Sequence, residues 1–82
     1  MPSKSVAVGS AVGLHARPAA IISEAAGDLG STVTINGVDA SSSLMIMTLG
    51  AKKGDQVEVA GDDQSAVDAI AALVEKDLDA ED

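Results

Sequence analysis

The chain has 82 residues, of which 46% are hydrophobic, and it contains no aromatic residue and no cysteine. A chain of this length forms one domain, residues 1–82, with an aliphatic core and no disulfide. Five basic residues against thirteen acidic ones give a formal net charge of −8. This balance argues against nucleic acid and anionic membranes as partners, and the lack of aromatic side chains excludes base stacking.

The first residues, Met-Pro-Ser-Lys, are too polar for a signal peptide, and no apolar run approaches the about 18 residues of a membrane span. We therefore expect a cytoplasmic, monomeric protein without membrane insertion. The acidity is also typical of proteins from a high-salt cytoplasm.

The residue pattern predicts the element order β-α-β-β-α-β-α. Predicted strands cover residues 4–8, 31–35, 38–40 and 56–59, and Asn36-Gly37 forms a hairpin turn between the second and third. A first helix begins at Ala16 or Arg17 and is ended by Gly27 and Gly30, whereas residues 44–49 predict a short helix with a strand as the competing assignment. Asp62 or Asp63 caps the last helix. This order favours an α+β domain, an antiparallel sheet with helices on one face.

Two helical faces carry the predicted core. On the first helix the apolar face consists of Pro18, Ile21, Ile22, Ala25 and Leu29. On the last helix it consists of Ala66, Val67, Ile70, Leu73, Val74 and Leu78. Both sets repeat at the spacing of a helix that buries one stripe.

Reactive chemistry is concentrated in residues 13–19, Gly-Leu-His-Ala-Arg-Pro-Ala, which hold the chain's only histidine and only arginine. Pro18 is tolerated in the first turn of a helix, so His15 lies at or just before the helix N-terminus. The field of the helix disfavours an imidazolium there, which leaves a neutral ring with a nucleophilic nitrogen. Free N–H groups at the helix start and the Arg17 guanidinium both suit a phosphoryl group. The arrangement predicts a reversible phosphohistidine.

Other interpretations of His15 are a structural residue at a helix end, a metal ligand or part of a catalytic triad. A lone histidine is too little for a zinc site, so no metal is expected. No serine and acid stand out as triad partners. A small regulatory or ligand-binding domain with a structural His15 remains the alternative from another functional class.

Residues 13–19 resemble the active-site segment of the HPr family, the histidine-containing phosphocarrier proteins of the bacterial sugar phosphotransferase system. Residues 42–50, Ser-Ser-Leu-Met-Ile-Met-Thr-Leu-Gly, resemble the second signature of this family, and Lys53-Gly54-Asp55 before a valine-rich strand also matches. The resemblance covers essentially the whole chain. It implies an open-faced β-sandwich, a four-stranded antiparallel sheet covered on one face by three helices.

The resemblance also implies a role for each matching residue. His15 would be phosphorylated on Nδ1 by enzyme I, Arg17 would stabilise the phosphoryl group, and Ala16, Arg17 and Pro18 would form the helix start that holds it. A sugar-specific IIA domain would be the acceptor. Such a carrier is not a turnover enzyme and needs no cofactor. The same chemistry could instead serve a dihydroxyacetone-kinase or nitrogen-regulatory phosphorelay.

The second signature implies a docking patch for both partners, formed by Leu44, Met45 and Met47, with Ile46 and Leu49 buried. Ser42 stands at the regulatory phosphorylation site of the family, although N-capping of a helix explains a serine there equally well.

Three departures from the family pattern stand out. Val12 replaces a common Ser or Thr near the histidine. Ser43 replaces a large apolar residue after the regulatory serine. The segment around Asn36-Gly37 is about four residues shorter than usual, which a tighter hairpin would absorb.

Overall fold

A computed structural model of the protein describes residues 2–10, 13–14 and 16–76. Its elements are β1 (Ser3–Ala7), α1 (Ala16–Leu29), β2 (Val33–Ile35), β3 (Val38–Asp39), α2 (Ser43–Thr48), β4 (Gln56–Gly61) and α3 (Gln64–Glu75). The four strands form one sheet in the order β1-β4-β2-β3, and all neighbours are antiparallel. The predicted element order and the open-faced α+β fold are confirmed.

Alternating side chains explain which face of the sheet the helices cover. In β4, Val57 and Val59 are buried, whereas Gln56 and Glu58 between them are exposed. Val6 of β1 lies opposite Val57, and Ile35 of β2 lies opposite Val59, so the apolar residues of three strands share one face. The core on this face is entirely aliphatic among the described residues.

The apolar face of α3 is largely as predicted. Ala66, Val67, Ile70 and Val74 are buried and Leu73 is partly buried, whereas Leu78 lies outside the described residues. Ala71 is also buried.

On α1 the buried face differs from the predicted one. Pro18 and Ile22 are buried, but Ala19 and Ala26 complete the face, and Leu29 is 40% exposed. The buried face is therefore rotated towards the two alanines, on the side of α1 that packs against its neighbours α2 and α3.

The structure corrects the predicted end of α1 and decides between the helix and the strand that were both considered for the segment before Gly50. Gly27 does not end α1 but lies inside it, and the helix continues to Leu29 before Gly30, which has φ +70°. Residues 43–48 form a helix, so the competing strand is wrong. The hairpin is confirmed, with positive φ at both Asn36 (50°) and Gly37 (84°), the backbone that a two-residue turn requires.

Candidate functional site

Helix α1 begins at Ala16, one of the two predicted positions. Pro18 lies in its first turn and is buried, while Arg17 is exposed. His15 and Val12 lie outside the described residues. Leu14, on the other side of His15 in the sequence, is only 1% exposed. The chain therefore has a buried apolar anchor, Leu14 and Pro18, on each side of the segment that carries His15 and Arg17.

The segment before α1 is bound to the chain that follows α2. The Leu14 N–H donates a hydrogen bond to the Ala51 carbonyl at 3.0 Å. Gly13 has φ +76°, and a Cβ there would overlap the Ala51 carbonyl oxygen and lie 2.9 Å from Lys52 Cα. Gly13 is therefore required both for its backbone conformation and for the close approach of the two segments.

A second set of contacts binds the preceding loop to the C-terminal end of α3. The Gly9 N–H donates to the Val74 carbonyl at 3.0 Å, and the buried Ser10 Oγ donates to the Lys76 carbonyl at 3.1 Å. A Cβ on Gly9 would overlap the Glu75 carbonyl oxygen. The Ser10 backbone carbonyl accepts a 2.9 Å hydrogen bond from the Gly13 N–H, so the two sets of contacts are linked.

Sequence reasoning interpreted residues 9–13 as a loop and did not identify its binding partners. The spacing Gly-Ser-x-x-Gly was the available signal, because glycines at both ends indicate close backbone approach. The loop satisfies carbonyls at the end of α3 that have no partner within the helix. It thereby places the start of α1 beside the end of α3.

The electrostatics of the α1 start favour an anion. The first turn contains no acidic residue, and Arg17 supplies a permanent positive charge there. The N–H groups of Ala16 and Arg17 have no acceptor within the helix, and Pro18 carries no N–H. Together with the positive end of the helix dipole, these groups can stabilise a phosphoryl group next to residue 16.

The predicted docking residues lie on α2, which packs on α1. Leu44 is 68% exposed and Met45 is 43% exposed, whereas Met47 is half-buried against the core. Ile46 is fully buried, and Leu49 is partly buried. The structure thus separates a buried side of α2 from an apolar surface formed mainly by Leu44 and Met45. Its role in docking remains a prediction.

Ser42 is the N-cap of α2, and its Oγ accepts a 3.3 Å hydrogen bond from the Met45 N–H. Ser43 is the first residue of the helix. Capping accounts for Ser42 without any modification. Phosphorylation of Ser42 remains a prediction.

Metal and membrane sites receive no support from the described residues. Over residues 2–10, 13–14 and 16–76, no three His, Cys, Asp or Glu side chains are grouped closely enough to hold a metal ion. In the same part of the chain, no helix has the length and hydropathy needed to cross a membrane.

Fold and helix start together define a class, small open-faced α+β domains whose first helix begins one residue after a histidine in the sequence and exposes an arginine in its first turn. Residues 2–76 match the sequence model of PTS-HPr, described as the PTS HPr component phosphorylation site. The chain belongs to the HPr family, the phosphocarrier proteins of the phosphotransferase system. The resemblance found in the sequence is confirmed.

Individual relatives agree with this assignment. The phosphocarrier protein HPr of Streptomyces coelicolor is 39% identical over an alignment of 87 positions, which covers 96% of this chain and 94% of the relative. The crystal structure of HPr-C-His from Thermoanaerobacter tengcongensis superposes with a TM-score of 0.87 at 28% identity and covers 99% of both chains. Phosphocarrier protein HPr of Bacillus anthracis superposes with a TM-score of 0.82 at 30% identity, covering 89% of this chain and 95% of that one.

Proposed function

We propose that this protein accepts a phosphoryl group from enzyme I on His15 Nδ1 and donates it to a sugar-specific IIA domain. The observation that carries the proposal is the family match across residues 2–76, which includes the phosphorylation-site segment. The start of α1 at Ala16 supports it, since the helix begins directly after His15 and exposes Arg17. The carrier is modified and restored in each cycle and is therefore not a turnover enzyme.

The transfer chemistry follows from a neutral imidazole. The Nδ1 lone pair of His15 forms a bond to phosphorus while the bond between phosphorus and the donor breaks, and the proton on Nε2 stays in place. The reverse step at the acceptor restores the neutral ring. Arg17 and the free N–H groups of the first turn stabilise the charge on the phosphoryl oxygens, and positioning supplies most of the remaining catalysis.

Docking in this proposal uses the apolar surface of α2. Leu44 and Met45 are exposed side chains without charge, and α2 as a whole carries no charged residue. Methionine is suited to a surface that must fit two partners in turn, because its side chain is flexible and polarisable. The relay operates in the cytoplasm on a monomeric carrier that needs no cofactor.

Incubation with enzyme I and radiolabelled phosphoenolpyruvate tests the proposal. We expect a base-stable, acid-labile label on the parent protein and none on a His15→Ala variant. Lys53→Ala, an exposed residue in the turn before β4, serves as a labelled control. Absence of label on the parent with an enzyme I that labels another HPr would overturn the proposal. Transfer of the label to a IIA domain then tests the acceptor.

A further inference from the structure

The turn between α2 and β4 is bound to both ends of the loop that leads into α1. At the first end, the Val8 N–H donates to the Asp55 carbonyl at 2.9 Å, and the Gly54 N–H donates to the Val8 carbonyl at 2.8 Å. At the second end, the Leu14 N–H donates to the Ala51 carbonyl. Three backbone hydrogen bonds therefore fix this turn against the segment that precedes the candidate site.

Lys52 lies in this turn directly beside Gly13. A Cβ on Gly13 would lie 2.9 Å from Lys52 Cα, so the two backbones are in contact. His15 follows Gly13 by two residues in the sequence, which keeps their Cα atoms within about 8 Å of each other. The Lys52 side chain is exposed, and its four-carbon stem lets the ammonium reach a group bound to His15.

The basic residues of the chain are gathered around this loop. Four of the five lie on segments that contact it or follow it: Arg17 in the first turn of α1, Lys52 and Lys53 in the turn before β4, and Lys76, whose carbonyl accepts the hydrogen bond from Ser10. Only Lys4, which pairs with Val59 in the sheet, lies elsewhere. The chain thus concentrates its few cations at one place although its net charge is −8.

Two carboxylates lie on the described parts of the same segments. Asp55 Oδ2 accepts a 2.9 Å hydrogen bond from the backbone N–H of Lys52, so this carboxylate closes the turn from within. Glu75 is the last residue of α3 and is exposed. Four basic residues against these two acids leave a local excess of positive charge, which suits an anion.

A phosphoryl group at this place needs more than one cation. It carries up to two negative charges near neutral pH, whereas Arg17 supplies one positive charge. A lysine acts on phosphate as a point charge and does not depend on the planar geometry that an arginine requires. A lysine on a turn that is fixed against Gly13 meets this need.

We propose that the Lys52 ammonium binds the phosphoryl oxygens of phosphorylated His15, as a second cation beside Arg17. The inference rests on the proposed function and adds a binding residue from a different part of the fold. Lys52 does not react itself. It stabilises negative charge on the phosphoryl oxygens while the bond to the imidazole nitrogen forms and breaks.

A titration of the phosphorylated protein tests the contact without any partner protein. Phosphoramidate serves as a chemical donor: its P–N bond breaks and ammonia leaves as the imidazole nitrogen bonds to phosphorus. His15 is the only histidine, so the ³¹P NMR signal of phosphohistidine reports this site. Loss of a nearby cation disfavours the phosphoryl dianion, so Lys52→Met should raise the pKa of the phosphoryl group. Lys52→Arg should keep the pKa of the parent.

Lys4→Met is the matched control, because it changes the net charge equally. Lys4 lies four strand residues before Val8, about 13 Å along the chain from the turn. The pKa of the phosphoryl group should therefore stay at the parent value. All three variants should keep the Tm of the parent, since both lysine side chains are exposed.

Rates of labelling by enzyme I with radiolabelled phosphoenolpyruvate give the second readout. We expect Lys52→Met to lower the initial rate about threefold in about 0.1 M salt, and Lys4→Met and Lys52→Arg to change it less than 1.5-fold. An unchanged phosphoryl pKa in Lys52→Met, or an equal rise in Lys4→Met, would overturn the contact and leave the proposed function intact. A parent that phosphoramidate labels and enzyme I does not would overturn the proposed donor, while the pKa comparison still decides the contact. A His15 that neither donor labels would overturn both proposals.

Discussion

The starts of α1 and α2 are held in place in different ways. At the start of α2 the hydrogen bonds of residues 41–45 are local, since Ser42 caps the Met45 N–H and Asp39 accepts bonds from the N–H and Oγ of Ser41 at 2.9 and 2.7 Å. At α1 the contacts are distant in sequence. Leu14 binds Ala51, and Ser10 binds the carbonyl of a residue 66 positions away.

This difference concerns the function directly, because the distant contacts hold the helix start that presents Arg17. The end of α3 and the segment after α2 both determine where this start lies. Damage to either should therefore disturb the candidate site, although neither contains a proposed reactive residue. A local cap such as Ser42 should affect only its own helix.

Gly13→Ala should displace the start of α1, and of the substitutions considered it should have the largest effect on stability. The new Cβ would overlap the Ala51 carbonyl oxygen in a residue with φ +76°. We expect a loss of about 3 kcal/mol in the free energy of unfolding, measured by denaturant titration, because strain and a backbone clash add. Phosphoryl transfer should fall as well.

Gly27→Ala is the matched control for this glycine substitution. Gly27 lies inside α1, and a Cβ there would meet no atom within 4 Å apart from its chain neighbours and the backbone of its own helix. We expect this variant to be more stable than the parent by about 0.5–1 kcal/mol. Similar losses for both variants would contradict the distinction between the two positions.

Ser10→Ala should have the next largest effect on stability. It removes the hydrogen bond to the Lys76 carbonyl from a side chain that is fully buried. We expect a loss of about 1.5 kcal/mol in the free energy of unfolding, since the end of α3 loses a part-buried hydrogen bond to the loop. The rate of phosphoryl transfer to His15 should fall together with the stability.

Ser42→Ala provides the comparison at the other helix. Loss of the cap should cost about 1 kcal/mol, the usual effect of an N-cap serine. The NMR shifts of Gly13 and Leu14 should change in Ser10→Ala and stay constant in Ser42→Ala. Shift changes at Gly13 in both variants would show that the two helix starts are coupled.

The same difference explains how much the sequence could predict. Pro18 and Ser42 act within one helical turn, so the sequence placed the start of α1 correctly and the start of α2 within one residue. Gly9 lies close to the Glu75 carbonyl, and Gly13 lies close to the Ala51 carbonyl. Both carbonyls are distant in the sequence, so no local pattern predicts these contacts.

Packing set two further limits on what the sequence could predict. The interior position of Gly27 and the exposure of Leu29 also depend on how α1 packs. For the candidate site, the sequence indicated the residues but not the shallow groove between α1 and α3, which Arg17, Ile21 and Leu73 help to line. The net charge of −8 argued against anionic partners without locating Glu24 and Asp28 together on one side of α1.

The smallest predicted effect concerns Asp39 before α2. Hydrogen bonds from the Ser41 side chain and then its backbone N–H lower the pKa of Asp39 below its ordinary value of 3.8. Because the folded-state pKa is lowered, the stabilisation is complete above pH 3.8 and is lost as the pH falls through the folded pKa.

Ser41→Ala removes the larger of the two causes and keeps the backbone N–H, so the pKa of Asp39 should rise only part of the way towards 3.8. An NMR titration of the Asp39 carboxyl measures this shift. An unchanged pKa would mean that the backbone bond alone holds the carboxylate. At neutral pH the carboxylate stays ionised in both proteins, so α1 and the transfer rate should remain unaffected. A local contact at the start of α2 would thereby be separated from the distant contacts that hold α1.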